Sequence, residues 1–155
     1  MAKPPRQKPG KSKQDYQTPV ELLRAVKTRL RIDRFDYDLA ASPENAVCRQ
    51  YYTEKDNALI QPWGLGEGWD WCNPPFAKLA PWVMKAYETG SKICMLVPAS
   101  VGSNWWDKWV HNKAYVLFLN PRLTFVGCNS PYPKDCAILL YGLGKVGYDV
   151  WKWSI

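Results

Sequence analysis

Residues 70–76 read Asp-Trp-Cys-Asn-Pro-Pro-Phe, and the last four combine residue types that are able to act on a flat amino group. The side-chain oxygen of Asn73 and the main-chain carbonyl of Pro74 supply two neighbouring hydrogen-bond acceptors. Each proline fixes its own φ angle and lacks an amide donor, so the turn that carries these acceptors is rigid. The aromatic ring of Phe76 follows, and such a ring stacks on a nucleobase with about 1–3 kcal/mol.

These groups favour chemistry at the exocyclic amino group of a purine or pyrimidine. The lone pair of that nitrogen is delocalised into the ring, so the nitrogen must become more tetrahedral before it attacks an electrophile. Two acceptors that take both N–H bonds in the tetrahedral geometry promote this change through positioning and fixed dipoles, and they require no titrating acid and no metal. Pro75 keeps the turn from relaxing. The alternative is that Asn73–Phe76 is a tight structural turn.

Both prolines also indicate where this turn lies in the fold. Proline cannot continue a central strand, so Asn73-Pro-Pro must end the apolar run at 69–72, which is predicted to be a strand. Helices are predicted over 19–31 and 79–89 and after Ser103, and further strands over 35–38, 93–97, 115–119, 137–141 and 150–153. Thr18 is predicted to cap the first helix, with Glu21 completing a capping box.

The predicted helices and strands alternate through the middle of the chain. This alternation is typical of an α/β fold with a mainly parallel sheet and helices on both faces. Ligands of such sheets bind beyond the carboxyl ends of the strands. Asp38, Asn73 and Pro98 all fall at predicted strand ends, so we expect them to lie along one edge of the sheet.

The composition indicates one globular domain with a basic arm. The chain has 155 residues, of which 46% are hydrophobic and 14% aromatic, and this length predicts a single domain. Residues 1–14 hold five basic residues and no acidic one, while the net charge of the whole chain is +7. This segment also has three prolines and few apolar residues, so it is predicted to be disordered and residues 15–155 to form the domain.

The basic arm is suited to contact with a polyanion. Lys8, Lys11 and Lys13 are candidate partners for the phosphates of a nucleic acid, and a solubilising tail is the alternative. The five cysteines form no Cys-x-x-Cys pair and the chain has one histidine, so no metal site is predicted. The odd cysteine count, with no signal peptide and no membrane-spanning run, predicts a cytoplasmic protein with reduced thiols.

Asn-Pro-Pro-Phe resembles the catalytic motif of the amino-directed S-adenosylmethionine-dependent methyltransferases, which carry Asn or Asp, two prolines, and Tyr or Phe after a strand. Most of the ordered chain resembles the small phage-type DNA N-6-adenine methyltransferase family. The segments that carry this resemblance are Tyr16-Gln-Thr-Pro, Asp38-Leu-Ala-Ala, Asn45, 51–53, Asp56-Asn-Ala-Leu, Trp63, Asn73-Pro-Pro-Phe, Leu96-Val-Pro-Ala, Trp105-Trp106, Arg122-Leu-Thr-Phe and Ala137. The resemblance implies an abbreviated Rossmann-like class I methyltransferase fold.

The resemblance also implies how the cofactor is bound. Asp38 is placed to meet the amino group of the methionine part of S-adenosylmethionine, and Ala40 belongs to the same segment. Thr18 and Pro19 match the family's upstream part of the cofactor pocket, and Asp56 matches the acidic position that contacts the cofactor adenine. A helix cap for Asp38 and an exposed turn for Asp56 are the alternatives. The glycine-rich segment that usually follows the first strand is absent, and no acid is assigned to the ribose.

The resemblance assigns the remaining site residues to DNA. Asn73 and Pro74 hold the target amino group, Pro75 completes the rigid turn, and Phe76 stacks on the flipped base. Residues Arg122 and Phe125 match a late Arg-x-x-Phe element near the DNA or the target base, although Arg122 is equally compatible with an ordinary surface position.

The predicted function is therefore an adenine-specific DNA methyltransferase. It transfers a methyl group from S-adenosylmethionine to N6 of an adenine rotated out of double-stranded DNA, in the cytoplasm of a bacterial host if a phage encodes it. One alternative is an amino-directed methyltransferase that acts on RNA or on glutamine in proteins. The other is a nucleic-acid-binding protein without turnover. Sequence specificity is expected to be short, relaxed, or supplied by loops such as 120–135.

Overall fold

The computed structural model describes residues 16–154, which form an α/β domain around one five-stranded sheet. The arm residues Lys8, Lys11 and Lys13 lie outside the described part. The helices and strands are α1 (Val20–Leu30), β1 (Asp70–Cys72), α2 (Ala80–Glu88), β2 (Ile93–Pro98), α3 (Asn104–Trp109), β3 (Tyr115–Asn120), β4 (Cys136–Tyr141) and β5 (Gly147–Lys152). Two short 3-10 turns, Glu54–Asp56 and Ala58–Ile60, lie between α1 and β1.

The strands lie in the order β1-β2-β4-β3-β5. β1 pairs with β2 and β5 pairs with β3 in parallel, whereas β4 is antiparallel to both β2 and β3. Four strands therefore run in one direction and β4 runs against them. The α/β class is confirmed, and the antiparallel strand inserted next to β2 was not predicted from the alternation of elements.

The predicted strand at 35–38 is reduced to isolated pairing around Asp38. Asp38 forms parallel bridges with Trp71 on one side and with Tyr51 on the other. The Trp71 amide donates to the Tyr37 carbonyl at 2.8 Å, and the Leu39 amide donates to the Trp71 carbonyl at 2.9 Å. Asp38 therefore extends the sheet beyond β1 and lies beside the carboxyl end of that strand.

Helices cover both faces of the sheet, as predicted. One core cluster contains Val83 of α2 and Trp106 of α3, and the other contains Leu22 and Val26 of α1. Neighbouring residues of β2 point alternately into the two clusters, which explains why its sequence is apolar throughout. α1 therefore packs on one face of the sheet, and α2 and α3 pack on the other.

The described residues contain no disulfide, no metal-binding cluster and no membrane-spanning helix. All five cysteines lie within residues 16–154 and are free thiols. Within that range, no group of three or more His, Cys, Asp or Glu side chains is arranged to hold a metal ion. No helix of the same range combines the length and apolar character that a bilayer crossing needs.

The first turn of α1 lacks the predicted side-chain cap. Pro19 occupies the N-cap position, and no side chain caps the turn. The Thr18 hydroxyl instead accepts a hydrogen bond from Nδ2 of Asn73 at 3.1 Å. The predicted capping box of Thr18 and Glu21 is therefore wrong, because a residue 55 positions away in the sequence occupies the group that the local pattern assigned to the helix.

Asp70, at the start of β1, is a buried carboxylate with incomplete hydrogen bonding. Its side chain is 1% exposed. Oδ2 accepts a hydrogen bond from the Gly64 amide at 2.9 Å, whereas Oδ1 has no partner among the described residues. Burial raises the pKa of Asp70 to about 6. Ionisation of this carboxylate at neutral pH therefore opposes folding.

We expect Asp70→Asn to stabilise the protein at pH 7.5 but not at pH 4.5. The pKa of Asp70 is about 6 in the fold and about 3.9 in an unfolded chain. The native state therefore binds more protons between these values, and the stability that Asp70 contributes is lost as the pH rises through 6. One pKa unit corresponds to about 1.4 kcal/mol, so the expected gain at pH 7.5 is about 1–3 kcal/mol.

Urea unfolding of both proteins at the two pH values measures this effect. Asp33→Asn is the matched control, because Asp33 is exposed and its replacement removes the same charge. An equal gain for Asp70→Asn at pH 4.5 and pH 7.5 would contradict the assignment, since it would show that ionisation is not the cause.

Candidate active site

A narrow cleft of about 10 Å³ lies at the carboxyl end of β1. The residues that line it are Tyr16, Gln17, Thr18, Asp38, Ala40, Asn45, Val47, Trp71 and Asn73. Four predicted site residues, Thr18, Asp38, Ala40 and Asn73, therefore meet in one place. Pro98 ends β2 at the same edge of the sheet but does not line the cleft.

The side-chain amide of Asn73 is held in one orientation. Its Nδ2 donates to the main-chain oxygen of Tyr16 at 2.7 Å and to Oγ1 of Thr18 at 3.1 Å. An amide nitrogen has two hydrogens, so both are used. No donor of the described residues bonds to Oδ1 of Asn73. The oxygen that the sequence predicted as an acceptor is thus left available and is fixed in direction.

The two prolines make the neighbouring acceptor rigid. Pro74 ends β1 because it has no amide hydrogen to donate to the next strand. Its ring is buried and that of Pro75 is half-buried, so both are packed against the domain. No main-chain amide within residues 16–154 donates to the Pro74 carbonyl. Asn73 and Pro74 therefore present two consecutive oxygens that are not used within the described chain.

Four aromatic rings pack together next to this turn. Phe76 stacks on Tyr16 with ring centres 5.8 Å apart, and it forms T-shaped contacts with Phe125 and Tyr132 at 6.3 and 5.8 Å. Phe125 is 2% exposed, so its ring packs against Phe76 and does not face solvent. Direct DNA contact through the Phe125 ring, as the sequence suggested, requires this cluster to open.

Sequence reasoning did not identify two members of this cluster as site residues. The sequence places Tyr16 only at the start of a matching segment and Tyr132 only within the loop 120–135. Tyr132 lies in the connection between β3 and β4, where its amide donates to the Leu123 carbonyl at 2.7 Å. No local pattern around Tyr132 indicates its packing on Tyr16 and Phe76, because both rings are distant in sequence.

Asp38 is a buried carboxylate without a cation of its own. It is 3% exposed. Oδ1 accepts a hydrogen bond from the Ala40 amide at 3.2 Å, and Oδ2 accepts one from the Val47 amide at 3.1 Å. Burial raises the pKa of Asp38 to about 6, although the two amide hydrogen bonds act against this rise. Within residues 16–154 no basic side chain forms an ion pair with Asp38.

Two predicted cofactor residues do not line the cleft. Pro19 begins α1 directly after Thr18. Asp56 is exposed, and its Oδ2 accepts hydrogen bonds from the amide and hydroxyl of Thr53 at 2.7 and 3.1 Å. Gln61 donates to the Asp56 carbonyl at 2.7 Å, and Lys85 donates to the Gln61 carbonyl at 2.5 Å. The loop that carries Asp56 is therefore fixed from α2.

Arg122 forms an ion pair that closes the connection between β3 and β4. Its Nε donates to Oδ1 of Asp135 at 2.8 Å, and both side chains are at least half exposed. An exposed pair of this kind contributes at most about 1 kcal/mol and opens readily. Arg122 does not line the cleft.

Comparison with known proteins agrees with the motif and its surroundings. The sequence model of the DNA N-6-adenine-methyltransferase (Dam) family matches residues 6–137. This range includes every candidate site residue and begins inside the predicted basic arm.

One relative is a DNA N-6-adenine-methyltransferase of Escherichia phage T1. It is 32% identical over 112 residues, which cover 70% of this chain and 46% of the relative. The chain thus spans about half the length of this relative. The family match over most of the chain and this identity lead to the same result: the chain belongs to the DNA N-6-adenine-methyltransferase (Dam) family.

Proposed function

We propose that this protein transfers a methyl group from S-adenosylmethionine to N6 of an adenine in DNA. Family membership supports the reaction class, and the phage T1 relative bears the name of this activity. The observation that carries the proposal is the orientation of Asn73. Both of its amide hydrogens are used inside the protein, and Oδ1 remains available beside the Pro74 carbonyl.

Asn73 and Pro74 act on the target nitrogen through hydrogen bonds. Oδ1 of Asn73 and the carbonyl oxygen of Pro74 accept the two N–H bonds of the adenine amino group. This draws the nitrogen towards tetrahedral geometry and exposes its lone pair. Positive charge would grow on the nitrogen as the new N–C bond forms and the bond between the methyl group and the donor sulfur breaks, which leaves a neutral thioether. The two fixed oxygens stabilise this charge without reorganisation. Neither oxygen is basic at neutral pH, so the surplus proton leaves to solvent.

Phe76 holds the base during this step. The target adenine must leave the helical stack, which costs a few kcal/mol, and stacking on an aromatic ring returns about 1–3 kcal/mol. Phe76 is half-buried, and its position is set by Tyr16, Phe125 and Tyr132. A ring that is already held by its neighbours loses little freedom when a base stacks on it, so the contact is pre-organised.

The residues around Asp38 fit the methionine end of the cofactor. A buried carboxylate that lacks a cation binds an ammonium group well, and S-adenosylmethionine carries one. Asp38 would hold this group, with Ala40 and Thr18 beside it in the cleft. When bound, the cofactor supplies an electrophilic methyl group on its sulfonium. The cleft of about 10 Å³ is far smaller than a ligand site of several hundred cubic ångström, so it must widen on binding.

The remaining assignments of the sequence analysis are part of the same proposal. Asp56 would contact the cofactor adenine from the loop that Lys85 fixes, and Arg122 would reach the DNA after its exposed pair with Asp135 opens. We propose an abbreviated class I methyltransferase arrangement. The support for it is that Asp38 and Asn73 line one cleft at the carboxyl edge of parallel neighbours, where ligands of open α/β sheets bind.

Methylation in vitro tests this proposal. Purified protein is incubated with S-adenosylmethionine and unmethylated double-stranded DNA, single-stranded DNA or RNA, and the nucleosides are analysed by mass spectrometry. We expect N6-methyldeoxyadenosine from double-stranded DNA. DNA whose adenines already carry the methyl group is the control and should take up none. If only RNA is methylated, RNA and not DNA is the substrate. If no product forms and calorimetry detects no cofactor binding, the proposed enzymatic activity is refuted.

A further inference from the structure

A second, larger cleft of about 670 Å³ lies next to the candidate active site. Its walls come from Lys27 of α1 and from the segments 34–37, 47–50 and 65–68. Val47 lines both clefts, and its amide donates to Asp38. The larger cleft therefore begins where the candidate active site ends, and the chemistry proposed above does not use it.

Three cations from separate parts of the chain converge on this cleft. Lys27 is half-buried, and Arg34 and Arg49 are exposed. Asp36 and Glu67 also line it. Even so, none of the three cations lies within ion-pair distance of an acidic side chain in the described part of the chain. The positive groups are therefore available to an external anion.

Asp36 accepts a hydrogen bond that holds one wall of the cleft, which explains why an acid lies among these cations. Its Oδ2 accepts a hydrogen bond from the Gly68 amide at 2.8 Å. A Cβ atom at Gly66 would lie 2.2 Å from the same oxygen, so the loop approaches this carboxylate closely only because it has no side chain there. Asp36 thus holds one wall of the cleft, and this leaves Glu67 as the one acid of the lining that extends from an exposed loop position.

We propose that this cleft binds the phosphate backbone of the substrate DNA on one side of the target adenine, an inference that rests on the proposed function. An α-helix rises about 1.5 Å per residue, so the stretch from Thr18 to Lys27 spans about 13 Å. That distance is about four nucleotide steps of one strand at about 3.4 Å per step. The guanidinium groups of Arg34 and Arg49 suit phosphate oxygens, which they bind in a bidentate manner.

Contacts of this kind position the duplex and do not read its sequence. Lys27, Arg34 and Arg49 would hold the strand in register so that the flipped adenine reaches Asn73. Their contribution is electrostatic and depends on counterion release, with a slope of log K against log salt of about −0.9 per phosphate contacted. This dependence distinguishes the cleft from a site for a neutral ligand.

The test compares two triple variants of the full chain that remove the same charge. Lys27→Gln, Arg34→Gln and Arg49→Gln empty the cleft, whereas Lys92→Gln, Lys108→Gln and Lys152→Gln alter exposed cations outside it. Binding of a fluorescent duplex of about 20 base pairs is followed by anisotropy between 50 and 200 mM salt. We expect the cleft variant to lose about 2–3 units of salt slope, with a 10- to 100-fold higher Kd at 100 mM, and the control to lose under 1 unit.

Each possible outcome bears on the proposal. Equal losses in both variants, or a loss of affinity without a change in slope, would overturn it. Thermal melting of both variants excludes unfolding as the cause. Binding is measured without turnover, so the two proposals fail separately. If the cleft variant loses affinity but the wild-type protein never methylates DNA, the proposed function alone is refuted. If the wild-type protein methylates DNA and the cleft variant binds DNA as tightly as the wild type, the cleft alone is refuted.

Discussion

Asn73→Ala is expected to lower kcat for adenine methylation by two to three orders of magnitude. The variant removes one of the two fixed acceptors, and loss of a single pre-organised hydrogen-bonding group at a reacting centre costs on the order of 10²–10³ in rate. Affinity for DNA should change little, because in the proposed mechanism Asn73 contacts the amino group of one flipped base and no phosphate. The measurement is a single-turnover methylation assay on a duplex with one target adenine.

Two further variants separate the acceptor role of Asn73 from its structural role. Nδ2 of Asn73 also anchors the Tyr16 carbonyl and the Thr18 hydroxyl. Thr18→Val removes the second of these bonds and keeps Oδ1, so we expect a loss of under tenfold. Asn73→Asp keeps an acceptor oxygen but has no hydrogens for the two anchors, and it should fall between Thr18→Val and Asn73→Ala. If Asn73→Ala keeps more than a tenth of the rate, Asn73 is not a catalytic residue.

The hydrogen bonds of Asn73 connect the end of β1 to residues 16–18, the segment before α1. Asn73 fixes residues 16–18 by hydrogen bonds, and Tyr16 in turn stacks on Phe76. Any movement of this segment on cofactor binding would therefore shift both Asn73 and the ring of Phe76. Under the proposed function, the same two hydrogen bonds would position both the target-base acceptor and the segment that lines the cofactor pocket.

Local sequence patterns predicted where the helices and strands begin and end better than which strands pair and in which direction. The bounds of α1, β1 and β2 agree with the predictions within two residues, because apolar spacing and proline act locally. The insertion of antiparallel β4 between β2 and β3 was not predicted. A strand buried on both faces is apolar at every position, so its sequence does not record the direction of its neighbours.

The candidate site shows the same division between local and distant causes. Asn73 and Asp38 were predicted to share one edge, and they line one cleft. The capping role of Thr18 followed a valid local rule but was wrong, since Asn73 uses the hydroxyl. The packing of Tyr132 against Phe76 joins residues far apart in the chain, and no pattern within either segment indicates it.

Asp38→Asn is expected to raise the Kd for S-adenosylmethionine by about 10- to 100-fold at pH 7.5. A hydrogen bond to a charged partner contributes about 1.5–3 kcal/mol, and the carboxamide lacks the charge that attracts an ammonium. The fold should survive, because the variant removes a buried ionised group that has no cation in the described chain. Isothermal titration calorimetry measures the affinity directly.

The pH dependence provides the sharper test of this role. Because burial raises the pKa of Asp38 to about 6 in the free protein, the carboxylate must lose a proton to bind a cation below that pH. The affinity of the wild-type protein should therefore fall by up to about tenfold per pH unit from pH 6 to pH 5, and that of Asp38→Asn should not. Glu44→Gln, an exposed change of the same charge, should keep the wild-type profile. A profile that persists in Asp38→Asn would assign the titrating group to another residue and remove Asp38 from the cofactor site.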